Sequence, residues 1–158
     1  MKLFRGKPAS PGIAIGPVFL YKHQTSVLKT YAINDPDAEY KRLDEAIKAV
    51  QEDLKALAQK LEADGLPEEA EIFNAHATIA EDPELIDATK AIIDSRRINA
   101  EAALTESSNT FIEMLLALDD EYLSARSADI ADVVRRVNIR LSGEENAAPE
   151  LSVPSVVI

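Results

Sequence analysis

The sequence predicts a mainly α fold, with antiparallel helical hairpins inserted into a partial, truncated α/β subdomain. Three features carry the prediction. Both ends are rich in β-branched and turn residues, the long middle carries apolar residues at helical spacing, and Asp-Pro pairs and glycine stops cut that middle into helices with short joints. Strand, helices, strand in that order places a helical module between the edges of one sheet.

Residues 1–31 read as the N-terminal strands of the α/β part. Ala9-Ser10-Pro11-Gly12 is turn chemistry, and Ile13 to Tyr21 is apolar and punctuated by Gly16-Pro17, so two short strands are expected. Residues 32–143 form the helical subdomain. Asp35 can cap the first helix and Pro36 suits its first position. Leu43, Ile47, Val50, Leu54, Leu57 and Leu61 then alternate in steps of four and three, one apolar stripe on a helix running to about Ala63, where Gly65-Leu66-Pro67 stops it.

A second helix begins near Pro67 and carries Ile72, Phe73, His76, Ile79 and Ala80, until Asp82-Pro83 breaks it and caps a third. The third is expected to end near Ile93, with Asp94-Ser95-Arg96-Arg97 as a polar joint and Asn99 capping the fourth. The fourth carries Leu104, Phe111, Leu115 and Leu118. A corner at Asp119-Asp120 leads into a fifth with Tyr122, Leu123, Ile130, Val133, Val134, Val137 and Leu141, closed by Ser142-Gly143. Adjacent antiparallel helices bury their stripes against one another, an up-and-down arrangement. Residues 144–158 read as a polar linker and a return strand; three β-branched residues at the end would leave an exposed edge, which predicts a segment of a longer protein.

The 158 residues, 46% hydrophobic and 28% charged, have globular composition. No cysteine is present, so disulfides, thiolate metal sites and cysteine nucleophiles are excluded. No signal pattern opens the chain, and no run approaches the roughly 20 apolar residues of a membrane span, so a cytoplasmic protein with no membrane partner is expected. The net charge is -11, and Glu62 to Thr89 contains nine acidic residues and neither lysine nor arginine. Such a block repels nucleic acid and suits a basic protein partner, with an ordinary solvated helix face as the alternative.

Chemistry has little foothold. His23 lies in a polar stretch without a nearby acid and reads as a surface histidine. His76 lies mid-helix on a face bordered by Glu68 and Asp82. A carboxylate in reach would make it a nucleophile or a pH switch, and a packed or interface histidine is the alternative. The clustered carboxylates lack metal-ligand spacing, the glycines form no phosphate loop, and no serine sits in a nucleophile elbow, so no metal or cofactor is expected in this chain.

Three segments resemble the amino-terminal region of enzyme I of the phosphoenolpyruvate:sugar phosphotransferase system. They are Ala9-Ser10-Pro11-Gly12-Ile13-Ala14-Ile15-Gly16; Ile72-Phe73-Asn74-Ala75-His76 followed by Glu81-Asp82-Pro83-Glu84-Leu85; and Leu118-Asp119-Asp120-Glu121-Tyr122-Leu123 with Arg126, Ala128-Asp129-Ile130 and Asp132. The resemblance implies a helical subdomain that binds the phosphocarrier HPr, through Glu68, His76, Ile79, Asp82, Glu84 and Leu85 on one side and Leu115, Tyr122, Leu123 and Arg126 on the other. Arg126 would either brace its acidic neighbours or meet the incoming phosphoryl group.

In the family, phosphoenolpyruvate phosphorylates a histidine in a Gly-Gly-x-Thr-Ser-His motif, which this sequence does not contain. The phosphoenolpyruvate and Mg²⁺ sites belong to a later barrel domain. The resemblance thus implies a phosphoenolpyruvate-protein phosphotransferase piece that docks HPr, is monomeric, and transfers nothing by itself, with Mg²⁺ and a homodimer belonging to the intact enzyme. One departure is visible: many family members carry bulky Met or Leu after the helix histidine, where this chain has Ala77-Thr78-Ile79-Ala80. Alternatives are the enzyme I-like part of a dihydroxyacetone kinase phosphotransfer protein, a non-catalytic helical adaptor, and a self-contained enzyme using His76 with Glu68 or Asp82.

Overall fold

The computed structural model describes residues 15–19, 29–118, 120–143, 153 and 155–157. The chain divides into two compact units, Met1–Thr25 with Ala147–Ile158, and Ser26–Asn146. In the first unit β1 (Val18–Phe19) pairs in parallel with β2 (Val156–Val157), Val18 opposite Val156, and the Val156 N–H donates to the Pro17 carbonyl at 2.9 Å. One sheet therefore takes strands from both ends of the sequence, as the strand-helices-strand order predicts. The earlier of the two expected N-terminal strands and the return linker lie outside the described residues, as does His23.

The second unit is helical. Its elements are α1 (Pro36–Ala63), α2 (Pro67–Ala80), α3 (Pro83–Arg96), α4 (Ala100–Leu116) and α5 (Glu121–Ser142). Local chemistry sets their ends. Asp35, Asp82 and Asp120 each accept a first-turn backbone N–H, from Ala38, Glu84 and Leu123 at 3.2, 2.9 and 3.0 Å. At the end of α1 the Gly65 N–H reaches Glu62 O and the Leu66 N–H reaches Leu61 O, a Schellman closure that requires the left-handed conformation Gly65 adopts at φ 81°.

The helices pair as hairpins. Gln51 on α1 donates to Ala77 O on α2, while Asp44, earlier on α1, binds Lys90 on α3 at 2.9 Å, so α2 and α3 descend α1 in succession. Thr89 on α3 meets Ser107 on α4 at 2.7 Å, and Asn138 on α5 donates to Thr105 on α4 at 3.0 Å. The principal core joins α1, α3, α4 and α5 around Leu43, Leu54, Ile93 and Leu104. A second, smaller cluster of Ile79, Ala80 and Val133 with Ile130 joins the end of α2 to α5.

Three local expectations are corrected. The polar stretch Asp94-Ser95-Arg96 is the last turn of α3 rather than a joint; Ser95 bonds back to Ala91 O at 2.8 Å, and a basic Arg96 suits a helix C-terminus. Leu118 lies beyond the end of α4 and Ile72 faces outward, so both are exposed rather than part of an apolar stripe. Asn99 stands at the N-cap position of α4, but its side chain makes no cap bond there. It accepts from Tyr31 N and donates to Lys29 O and Glu101, which fixes the extended segment before α1.

Candidate docking site

The α2–α3 break and the facing half of α5 bring four of the ten candidate residues around one small cavity. Ile79 from α2, Asp82 from the break, Leu85 from α3 and Arg126 from α5 line a space of about 70 Å³, with Phe111 of α4 and Ile130 of α5 completing it. Ile79 and Leu85 are buried, whereas Asp82 is exposed and Arg126 half-buried. The result is an apolar socket with one acidic and one basic residue in its wall. Asp82 spends an oxygen on the Glu84 N–H, which fixes its orientation as the cap of α3. Among the described residues Arg126 forms no ion pair, so it braces none of the acidic side chains described there.

The socket continues toward the α4–α5 corner. Leu115 follows Phe111 by one turn on α4, and Tyr122 and Leu123 precede Arg126 by one turn on α5, so the apolar strip and the basic group share neighbouring faces. Leu115 and Leu123 are half-buried, and Tyr122 is 75% exposed, close in sequence to exposed Leu116 and Leu118. Glu84 is exposed in the first turn of α3. Glu68, exposed at the start of α2, is eight residues from His76, about 12 Å along the helix, and the fold does not bring it to the socket.

His76 is buried, at 6% exposure, and faces neither Glu68 nor Asp82. Its Nε2 lies 3.3 Å from Asp129 Oδ1 on α5, its ring meets Phe73 edge-on, and its Nδ1 is buried without a hydrogen-bond partner. The expected carboxylate partners are thus replaced by one 53 positions away, and the ring is shielded from any incoming electrophile. A catalytic pairing of His76 with Glu68 or Asp82 is not formed.

Phe111 and Ile130 line the socket and are not among the ten candidate residues. Both were legible as apolar stripe positions, whereas the Asp129 partner of His76 was not, because only packing brings it there. In the Ala77-Thr78-Ile79-Ala80 stretch, Ala77, Ile79 and Ala80 are buried, and only Thr78, whose hydroxyl donates to Asn74 O at 3.1 Å, is exposed. Among the described residues no group of three or more acidic or histidine side chains is arranged to hold a metal ion, and no helix is long and apolar enough to cross a membrane.

Comparison with known proteins agrees with this architecture. Residues 5–126 match the family described as PEP-utilising enzyme, N-terminal. The phosphoenolpyruvate-protein phosphotransferase of Bacillus subtilis (strain 168) is 35% identical over 158 residues, which cover 100% of this chain and 28% of that protein. Its Geobacillus stearothermophilus counterpart is 39% identical, over 99% of this chain and 27% of that protein. A solution NMR structure of enzyme I superposes with a TM-score of 0.79 at 31% identity, over 94% of this chain and 61% of that one. The chain therefore spans a little over a quarter of the length of these curated relatives. With helices, strand pairing and sequence in agreement, the chain belongs to the PEP-utilising enzyme N-terminal family, in the form found in enzyme I, the phosphoenolpyruvate-protein phosphotransferase.

Proposed function

We propose that this chain is the docking region of a phosphoenolpyruvate-protein phosphotransferase, and that it seats HPr on the surface around the Ile79–Leu85–Phe111–Ile130 socket. The observation that supports this most is the socket itself, apolar over most of its wall and flanked by the carboxylate of Asp82 and by the guanidinium of Arg126, which forms no ion pair among the described residues. Its volume suits a single aliphatic anchor from the partner, the arrangement by which a few buried side chains dominate a protein interface. Tyr122, Leu123 and Leu115 extend the contact, while Glu68 and Glu84 attract a basic partner from the rim.

In this reading the chain holds HPr in place while the phosphoryl group passes between a histidine elsewhere in the whole protein and one on HPr. Phosphoenolpyruvate and Mg²⁺ are handled outside this stretch, and the isolated chain is an inactive monomer. Isothermal titration calorimetry with HPr at low and high salt tests the reading. Saturable one-to-one binding that weakens as salt screens the acidic rim supports it, and absence of heat at any salt concentration overturns it.

A further inference from the structure

α2 packs on α1 and on α5, and its contact with α5 is slender: the Ile79–Ala80–Val133–Ile130 cluster and one polar pair, His76 with Asp129. The socket straddles this joint. Ile79 stands on one side, and Arg126 and Ile130 on the other. His76 lies one turn before Ile79, and Asp129 lies between Arg126 and Ile130 on the facing helix, so the pair fixes the spacing of the two walls.

The charged surroundings of the ring are sparse. Asp129 faces it from α5, with Asp132 and Arg136 on the following turns and themselves 3.9 Å apart. From α1 the neighbouring polar group is the neutral Gln51, engaged with Ala77 O and Glu81; the charged residues around it, Lys48, Glu52 and Lys55, are exposed and pair with nothing on α2. On α2 itself the residues three and four positions away are Ile72, Phe73, Ile79 and Ala80, all uncharged. Nδ1 is buried and meets no acceptor. A neutral ring with its proton on Nε2 donates to Asp129 and leaves only a lone pair on Nδ1. A second proton would charge the contact with Asp129, whose carboxylate is 40% exposed and therefore screened, but would put a fully buried donor on Nδ1 with nothing to receive it, and that cost is the larger.

We propose that the His76–Asp129 pair is a proton-dependent latch that positions the two walls of the docking socket, closed when His76 carries only the Nε2 proton and loosened when the ring is doubly protonated. Resting on the docking reading above, this predicts that capture of HPr weakens in acid. His76 and Asp129 are positioning residues, since neither lines the socket.

The test has two parts. Without partner, ring ¹⁵N shifts of His76 and the amide shifts of residues 72–82 and 123–133 are followed between about pH 8 and 5.5, the range in which histidines change charge. An Nε2–H tautomer at the upper end, with amides on both helices moving as the ring protonates, supports the latch; an Nδ1–H tautomer or amides indifferent to the ring overturns it. With HPr, affinity is measured at both ends of that range for the wild type and His76→Gln, which keeps an N–H donor for Asp129 but cannot titrate. We expect the wild type to lose about tenfold more affinity in acid than the variant, a difference that removes any titration of HPr itself. Equal losses, or tighter binding of the wild type in acid, overturn the latch. Failure of HPr to bind at any pH overturns the docking reading instead, and the partner-free part still decides the latch.

Discussion

Glu39 on α1 accepts the backbone N–H of Ala100, the first residue of α4, through Oε2 at 2.8 Å. The residue in the N-cap position, Asn99, is occupied with the segment before α1, so the cap is supplied from another helix. Arg42 holds that carboxylate with Nη1 at 2.7 Å, and its Nη2 reaches Glu101 at 2.7 Å and the Leu141 carbonyl at 3.2 Å. One partly buried network therefore joins α1, the start of α4 and the end of α5. Burial opposes the charge on Arg42, but its bonds to Glu39 and Glu101 hold its pKa above the ordinary value.

Replacing Glu39 removes a cap and leaves Arg42 short of a partner. We expect Glu39→Ala to destabilise the helical unit by about 2 kcal/mol. The midpoint of thermal unfolding followed by circular dichroism should fall by roughly 6 °C. An unchanged midpoint would mean that the cap has no energetic weight.

Glu101 predicts a pH dependence. Burial pushes its carboxyl up, but the hydrogen bonds from Asn99, from its own N–H and from Arg42, together with the Arg42 charge, outweigh burial and lower the pKa below the ordinary 4.5. The folded state thus binds this proton less readily than the unfolded chain. The stabilisation is fully present above the unfolded value and is lost as pH falls through the lower folded value. In urea unfolding at a series of pH values, Glu101→Gln should be less stable than the wild type near neutrality, and the gap should narrow only below the ordinary carboxylate range.

Gly65 offers a backbone test. A Cβ there meets nothing within 4 Å, so the cost of Gly65→Ala is purely that of φ 81°. The expected loss is about 1 kcal/mol, seen as a fall of roughly 3 °C in the unfolding midpoint.

These helix ends show what could be read from the chain. Asp35-Pro36, Asp82-Pro83, Gly65 and Gly143 act within one turn of themselves, and each stands where its local chemistry predicts. The cap of α4 and the partner of His76 were not legible, because Glu39 and Asp129 act across 61 and 53 positions and only packing brings them into place. The grouping of residues around the socket was legible in part for the same reason. Ile79, Asp82 and Leu85 are close in sequence and Arg126 sits in a distinctive motif, whereas Phe111 joins them only through the α3–α4 and α4–α5 hairpins. Glu68, implied by the family resemblance, lies too far along α2 to reach the socket.

Arg126 separates docking from stability. It forms no ion pair among the described residues, so Arg126→Glu should leave the unfolding midpoint within about 2 °C of the wild type, as expected for a partly exposed surface change. Reversing the charge beside the socket should weaken HPr binding by at least about tenfold, measured by calorimetry.

The most direct test of the account is an NMR titration of the isotope-labelled chain with HPr from the same organism. Salt-sensitive amide shifts confined to residues 68–85 and 115–126 are expected, largest around Ile79, Leu85 and Arg126. Shifts spread evenly over the helices, or none at millimolar HPr, would contradict it.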